Sequence, residues 1–280
     1  MRTDTSAPLY ITFTNAGSLD MCINLIYSLR KSGVPLEQIE VHAVDQASAE
    51  ALRELSVPLA DRPVDEGDAE YSAYWTSGFA AMMHGKIHYI HDTLVAGRAV
   101  VYLDSDIVVQ RSIEHAIARY KDDFDILIQT DALDGPPDSE LCAGFQVARP
   151  TSTAIAFYRI CIERHLKRRT EEPNEGDQPT VNRVYRERAT YPELADLRLR
   201  VLDVDQFAHG QVAFKTFSLA WRTASRFPPL AWLMAHAPRR VMIHNNYIRG
   251  REKKLRRFRR YGLWYAERPD VKAVIAGRAA

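Results

Sequence analysis

Apolar and polar positions along this chain switch repeatedly between the period of a strand and the period of a helix. The run "PLYITFTNAG" predicts a short strand, and "SLDMCINLIYSLRKSG" places Met21, Leu25, Ile26 and Leu29 at helical spacing, with Gly33 as the stop. "IEVHAVD" reads as a second strand and "SAEALRELS" as a second helix. "SAYWTSGFAAMMHGKIHYIHDTLVAG" then predicts a helix ending at Gly97, followed by the strand "RAVVYLDSD". Such alternation points to a mainly parallel sheet with helices packed on it. Ligands gather at the carboxyl ends of strands in open α/β sheets. Thr14, Asn15, Asp45, Asp104 and Asp106 all fall at such ends, which sketches a polar crevice.

The second half is less regular. "DFDILIQTDA" predicts a strand with Asp131 at its end, "LDGPPDSE" a loop, and "LCAGFQVARP" a strand entered through a small-residue turn. "TSTAIAFYRICIERHLKRR" is an amphipathic helix that breaks at "TEEPNEGDQPTVNRVYRE", where Asp177 and Gln178 precede a new helix. Capping of that helix by Asp177 is the simplest use of an acid at such a boundary, worth ~1 kcal/mol.

Candidate chemistry begins in "AVVYLDSDIVVQ", where Asp104 and Asp106 interrupt an apolar run. In an extended chain residues two apart share a face, so the carboxylates converge and repel unless a cation or protons neutralise them. Hard divalent ions such as Mg²⁺ or Mn²⁺ favour such oxygen ligands and leave room for substrate phosphates. The spacing alone is equally met by a solvated strand-end turn. The same D-x-D spacing recurs at Asp123–Asp125 and Asp203–Asp205, but there it reads as a loop entering a strand and as the close of an edge strand.

Composition narrows the class. At 280 residues and net charge +1, the chain is long enough for one large α/β domain or two small ones, and nothing global speaks for nucleic acid. Cys22, Cys142 and Cys161 form no C-x-x-C pair, which argues against a disulfide framework or structural zinc. "MRTDTSAPLYITF" lacks the apolar core of a signal peptide, so the expected location is the cytoplasm.

Taken in order, the "YLDSD" strand end, "CAGFQVARP", "GDQPTVN" and "HNNYIRGREKKLRRFRRYGLW" resemble the nucleotide-diphospho-sugar transferase group of retaining GT-A glycosyltransferases. Plant xylosyltransferases and arabinosyltransferases fall there, with glycogenin and bacterial lipopolysaccharide galactosyltransferases as more distant relatives. The likeness runs from about Tyr10 to Trp264. It implies a GT-A, Rossmann-like α/β fold, a mixed and mainly parallel sheet flanked by helices, with a helical C-terminal extension. It implies one domain over 1–280: a nucleotide and metal half at 8–130, a sugar and acceptor half at 131–212, and an extension at 213–280 that closes the donor site. By resemblance Asp104, Asp106 and His244 hold Mn²⁺ (or Mg²⁺), and Gly250 with Lys253 or Lys254 meets the diphosphate. Thr14, Asn15 and Asp45 border the nucleoside, and Lys86 reaches the donor. Gln129, Asp131, Ala143, Gly144, Asp177 and Gln178 surround the transferred sugar, with Asp177 nearest the anomeric carbon and Gln178 as the alternative. Relatives usually carry a polar residue where this chain has Ala143, so sugar or acceptor preference is expected to differ.

The implied activity moves a sugar from a nucleotide-diphosphate donor, a UDP-sugar, to a hydroxyl of a glycan, glycolipid or protein. A sugar-nucleotide pyrophosphorylase would also use acids at strand ends, but "TFTNAGSLD" has only Gly17 where a Gly-rich phosphate loop is needed. "RGREKKLRRFRR" carries eight Arg or Lys in twelve residues, a density that suits nucleic acid or an anionic membrane face. It equally suits a solvated helix packed through Leu255 and Phe258. No nucleic-acid partner is expected; a peripheral membrane contact through 249–260 is.

Overall fold

The computed structural model describes residues 7–61, 71, 77–121, 123–214, 223–224 and 226–277. The expected helix start at 72–76, residues 218–222 and 225, and the last three residues lie outside the described residues. Strand β1 (Leu9–Thr14) is buried along its length and lies between β2 (Ile39–Ala43) and β3 (Val100–Leu103), parallel to both. Further on come β4 (Ile107–Val109), β5 (Ile126–Thr130), β6 (Leu141–Ala148), β7 (Leu199–Val201), β8 (Phe207–Ala208) and β9 (Met242–His244). Six of these form one sheet in the order β2-β1-β3-β6-β5-β7. Only β6 runs against its neighbours there, antiparallel to β3 and β5, so the sheet is mixed and mainly parallel as expected. A second sheet, β4-β9-β8, was not visible in the periodicity because its strands hold two or three residues each.

Helices cover the main sheet on both faces. α1 (Leu19–Lys31) buries Leu25, Ile26 and Leu29 against β4 and the β1–β2 side, and the chain leaves it through Gly33 at φ 98°. α2 (Gln46–Glu54) follows β2. The opposite face carries α3 (Ser77–Val95) and α5 (Ser152–Arg169), whose Ile87, Ile90, Phe157 and Tyr158 pack in one cluster. The short α4 (Ile113–Ile117) lies between β4 and β5, and α6 (Asp177–Arg186) follows α5. α7 (Gly210–Phe214), the helix Pro228–Ala235 and the helix Arg251–Arg260 share a third cluster with β4 and β9. The basic segment is therefore a helix whose Leu255 and Phe258 are buried, each worth about 1.5–3 kcal/mol. The helix Pro228–Ala235 is inverted in character: Ala231 and Ala235 are buried while Leu230, Trp232 and Leu233 are exposed.

The small residues expected to form a turn before β6 lie inside that strand. Their effect is on register. Ile128 pairs with Gln146 but Gln129 with Cys142, so β5 skips Ala143 to Phe145, and the Ala143–Gly144 backbone is displaced from the β5 ladder.

The second D-x-D does structural work. Asp125, at the entry to β5, accepts the Arg198 backbone N–H at 2.8 Å and its guanidinium at 3.0 Å, fastening edge strand β7. Burial works to raise the Asp125 pKa, but the Arg198 hydrogen bonds outweigh it and hold the carboxyl below its usual range. A depressed folded pKa gives stability that is present above the unfolded value of about 3.9 and lost as pH falls through the folded one. Asp125→Asn should therefore lower stability at pH 7 by about 1 kcal/mol, after allowance for solvent screening at the half-exposed Arg198. Urea denaturation should show the gap narrowing towards pH 3; an equal gap at both pH values would refute the charge-based clamp.

Candidate active site

Asp104 and Asp106 converge for a different reason than strand alternation. The chain turns at Asp104-Ser105-Asp106, closed by Ile107 N–H donating to the Asp104 carbonyl at 3.1 Å, and passes from the main sheet into the second. β9 pairs antiparallel with β4, with His244 opposite Ile107, which sets the imidazole beside the turn. His244 Nε2 lies 3.3 Å from Asp106 Oδ1 and 3.5 Å from Asp104 Oδ2. One ligand atom from each residue falls within 4.8 Å of the other two. Two carboxylates and an imidazole make an oxygen-rich donor set that suits Mn²⁺ or Mg²⁺. The space is kept by Gly144: a Cβ there would stand 2.3 Å from His244 Cε1 and 2.6 Å from Asp104 Oδ2.

Without a metal, protein cations balance these acids. Lys254 Nζ is 2.6 Å from Asp106 Oδ2, and Lys86 Nζ is 4.0 Å from Asp104 Oδ1. Burial works to raise the Asp106 pKa, but Lys254 and His244 outweigh it and hold it far below the usual carboxylate range; Asp104 is lowered too, chiefly by Lys86. His244 moves the other way. Burial would lower its pKa, but Asp106, together with hydrogen bonding to both acids, raises it well above the ordinary value. The Tyr102 hydroxyl donates to Asp104 Oδ1 at 2.6 Å, orienting the outer acid.

A cleft of about 520 Å³ opens beside this cluster, lined by Lys86, Asp131, Ala143, Asp177, Gln178 and Asn246 as well as Asp104, Asp106 and His244. Asp177 does not cap α6. Gly176 is the N-cap, and Asp177, the first helical residue, is buried with Oδ2 2.5 Å from Lys86 Nζ. Burial raises its pKa and Lys86 opposes that, so the lysine is what supports an ionised acid there. Gln178 bridges the cleft wall, accepting from Ala143 N–H at 3.1 Å and donating to Asp131 Oδ2 at 3.0 Å. Asn246 donates to Asp131 Oδ1 at 2.8 Å, and the Tyr247 hydroxyl bonds the Asp131 carbonyl.

Other expected residues are placed differently. Lys253 is exposed and lines neither cavity found around the site, whereas Lys254 lines both; one residue on a helix is a rotation of about 100°, enough to separate solvent from site. Gly250, at φ 93°, starts the helix that carries Lys254 but does not line the cleft. Asp45 caps α2 through Ser48 N–H at 2.9 Å and takes Ala16 N–H at 2.7 Å, so both carboxylate oxygens are occupied. Thr14 is fully buried beside Ser18, while Asn15 lines a smaller cavity that adjoins Asp104, Asp106 and Lys254. Gln129 is buried behind His244 rather than in the cleft. Asn246 and Tyr102 were not singled out in the sequence; the signal for the first is its place two residues after His244.

Gly144→Ala should press a methyl group into the imidazole and Asp104, and Mn²⁺ affinity should fall at least about tenfold, as for other changes that displace ligands. Titration of Mn²⁺ into variant and wild type checks this, with circular dichroism to confirm folding. Wild-type affinity in the variant would remove Gly144 from the site.

A family model described as nucleotide-diphospho-sugar transferase matches residues 35–258. The chain is 26% identical over 217 residues to a UDP-galactose:fucoside alpha-3-galactosyltransferase of Dictyostelium discoideum, covering 71% of this chain and 30% of that protein. It is 25% identical over 206 residues to the UDP-D-xylose:L-fucose alpha-1,3-D-xylosyltransferase MGP4 of Arabidopsis thaliana, covering 69% and 52%. The chain thus spans about a third to a half of these relatives' lengths. Among solved structures, the bifunctional glycosyltransferase WbbM superposes with a TM-score of 0.57 at 14% identity, over 99% of this chain and 52% of that one. The chain belongs to the nucleotide-diphospho-sugar transferase family and has the GT-A fold.

Proposed function

We propose that the protein is a metal-dependent, retaining glycosyltransferase that moves a sugar from a UDP-sugar to a hydroxyl of a glycan, glycolipid or protein acceptor. The observation that carries this reading is the Asp104, Asp106 and His244 cluster in the wall of a cleft, with Lys254 and Lys86 beside it. UDP-sugar donors named for the relatives support the donor class, and the alpha linkages in those names support retention. On this reading 8–130 would supply both acids, 131–212 Asp177 and Gln178, and 213–280 His244 and Lys254.

Asp104, Asp106 and His244 would hold the ion. Bound there, it would neutralise charge on the leaving diphosphate as a Lewis acid. Lys254, which neutralises Asp106 in the metal-free protein, is placed to supply positive charge to the same phosphates, and Arg249 lines the cleft nearby. Fixed positive charge at the site of developing negative charge lowers the barrier without reorganisation. On the sugar side, Lys86 holds Asp177 as a buried, oriented acid facing the cleft. Asn246 and Gln178 each take one oxygen of Asp131 and so set the shape of the wall the sugar would meet.

A peripheral membrane contact, if made, would use the exposed apolar residues next to the basic helix. Leu230, Trp232, Leu233 and Phe227 are exposed beside the basic helix, and Trp232 packs on Gly262 just past that helix. No helix among the described residues is long and apolar enough to cross a membrane, so any such contact would be peripheral.

Two measurements test the proposal. Stabilisation by UDP in a thermal-shift panel of sugar nucleotides should require Mn²⁺ or Mg²⁺, and Asp106→Ala should abolish both the metal requirement and transfer. UDP affinity indifferent to chelator would sink it. Asp177→Asn should leave UDP and metal affinity near wild type while kcat falls about 10²-fold or more, the pattern of an interaction made only in the transition state. Wild-type turnover in that variant would remove Asp177 from the chemistry.

A further inference from the structure

His244 can offer either ring nitrogen to a metal, and the protein decides which. Its Nε2 faces Asp104 and Asp106, while its Nδ1 points back into the core, 3.0 Å from Gln129 Oε1. Gln129 sits at the register break of β5 and is fully buried. Its amide has a determined orientation because the NH₂ group donates to the Phe207 carbonyl at 3.0 Å, a partner that can only accept. The carbonyl end must then face His244, and an acceptor facing Nδ1 requires Nδ1 to carry a proton. Cys142 Sγ, at 3.5 Å from the same nitrogen, is the other neighbour and a weak partner.

We propose that Gln129 is a positioning residue that locks His244 as the Nδ1–H tautomer in the metal-bound state, so that the Nε2 lone pair is the one presented beside the two acids. This rests on the metal reading given above. It gives Gln129 a different task from the sugar contact that family resemblance implies: Gln129 acts through His244 and does not line the cleft. The chain of contacts runs from the Phe207 carbonyl in β8 through the Gln129 amide in β5 to the imidazole in β9, so the two sheets together fix the ring. Partners of this kind behind a metal-bound histidine set its tautomer, ring orientation and basicity, and removing one typically costs about 10–100-fold in metal affinity.

The test compares Mn²⁺ affinity, read by electron paramagnetic resonance of the free ion, for wild type, Gln129→Met and His244→Ala. Gln129→Met keeps length and apolar volume but removes both amide functions. Its Mn²⁺ affinity should fall about 10–100-fold, with secondary structure by circular dichroism unchanged. A second measurement needs no variant: in wild type loaded with diamagnetic Mg²⁺ and UDP, long-range ¹H–¹⁵N spectra should show His244 protonated at Nδ1 and not at Nε2. Wild-type Mn²⁺ affinity in folded Gln129→Met, or a proton on Nε2 in the loaded wild type, would overturn the proposal. Unchanged affinity in His244→Ala would instead overturn the metal site itself, which separates the two failures.

Discussion

Two neighbouring carboxylates, one buried and one partly exposed, are the constraint around which this structure is organised. Asp104 and Asp106 repel each other, and each loses hydration as the chain folds. The fold answers with cations from three distant parts of the sequence: Lys86 from α3, His244 from β9 and Lys254 from the basic helix. The small second sheet brings β9 alongside β4, and the buried Leu255 and Phe258 seat the helix that aims Lys254 inward. Under the proposed function, a divalent ion would take over the charge that the lysine and the imidazole supply here.

The same economy of charge extends into the cleft. Lys86 is shared between Asp104 and Asp177, so the two acids are coupled through one buried ammonium. Lys86 also lies over the Tyr102 ring at 4.4 Å and donates to the Ala143 carbonyl, which leaves its position little freedom. A change at any of these groups alters the field at the others, and single substitutions here should not act additively.

Much of the scaffold was legible in the order of apolar residues. Strands at β1, β2, β3 and β5 and helices at α1, α2, α5 and α6 follow from period and from their Gly, Pro and Asp boundaries, and the D-x-D marked the site because acids rarely interrupt so apolar a run. Asp125 read only as an acid where a loop enters a strand; its hold on edge strand β7 through Arg198, 73 residues on, was not legible. Family resemblance tied His244 to the acids across 138 residues of chain, which local spacing could not do.

What tertiary structure alone decided is orientation. The sequence explained the meeting of Asp104 and Asp106 by strand alternation, whereas a turn between two sheets brings them together. Resemblance left Lys253 and Lys254 as alternatives where the helix turns Lys254 inward, and it set Gln129 beside a sugar where β5 buries it behind His244. Asp177 could be a cap or a site acid until Gly176 took the cap and Lys86 came within reach. Periodicity reports which face of an element is apolar. Which polar atom meets which depends on how elements from far apart in the chain cross, and that is fixed only when their apolar faces pack.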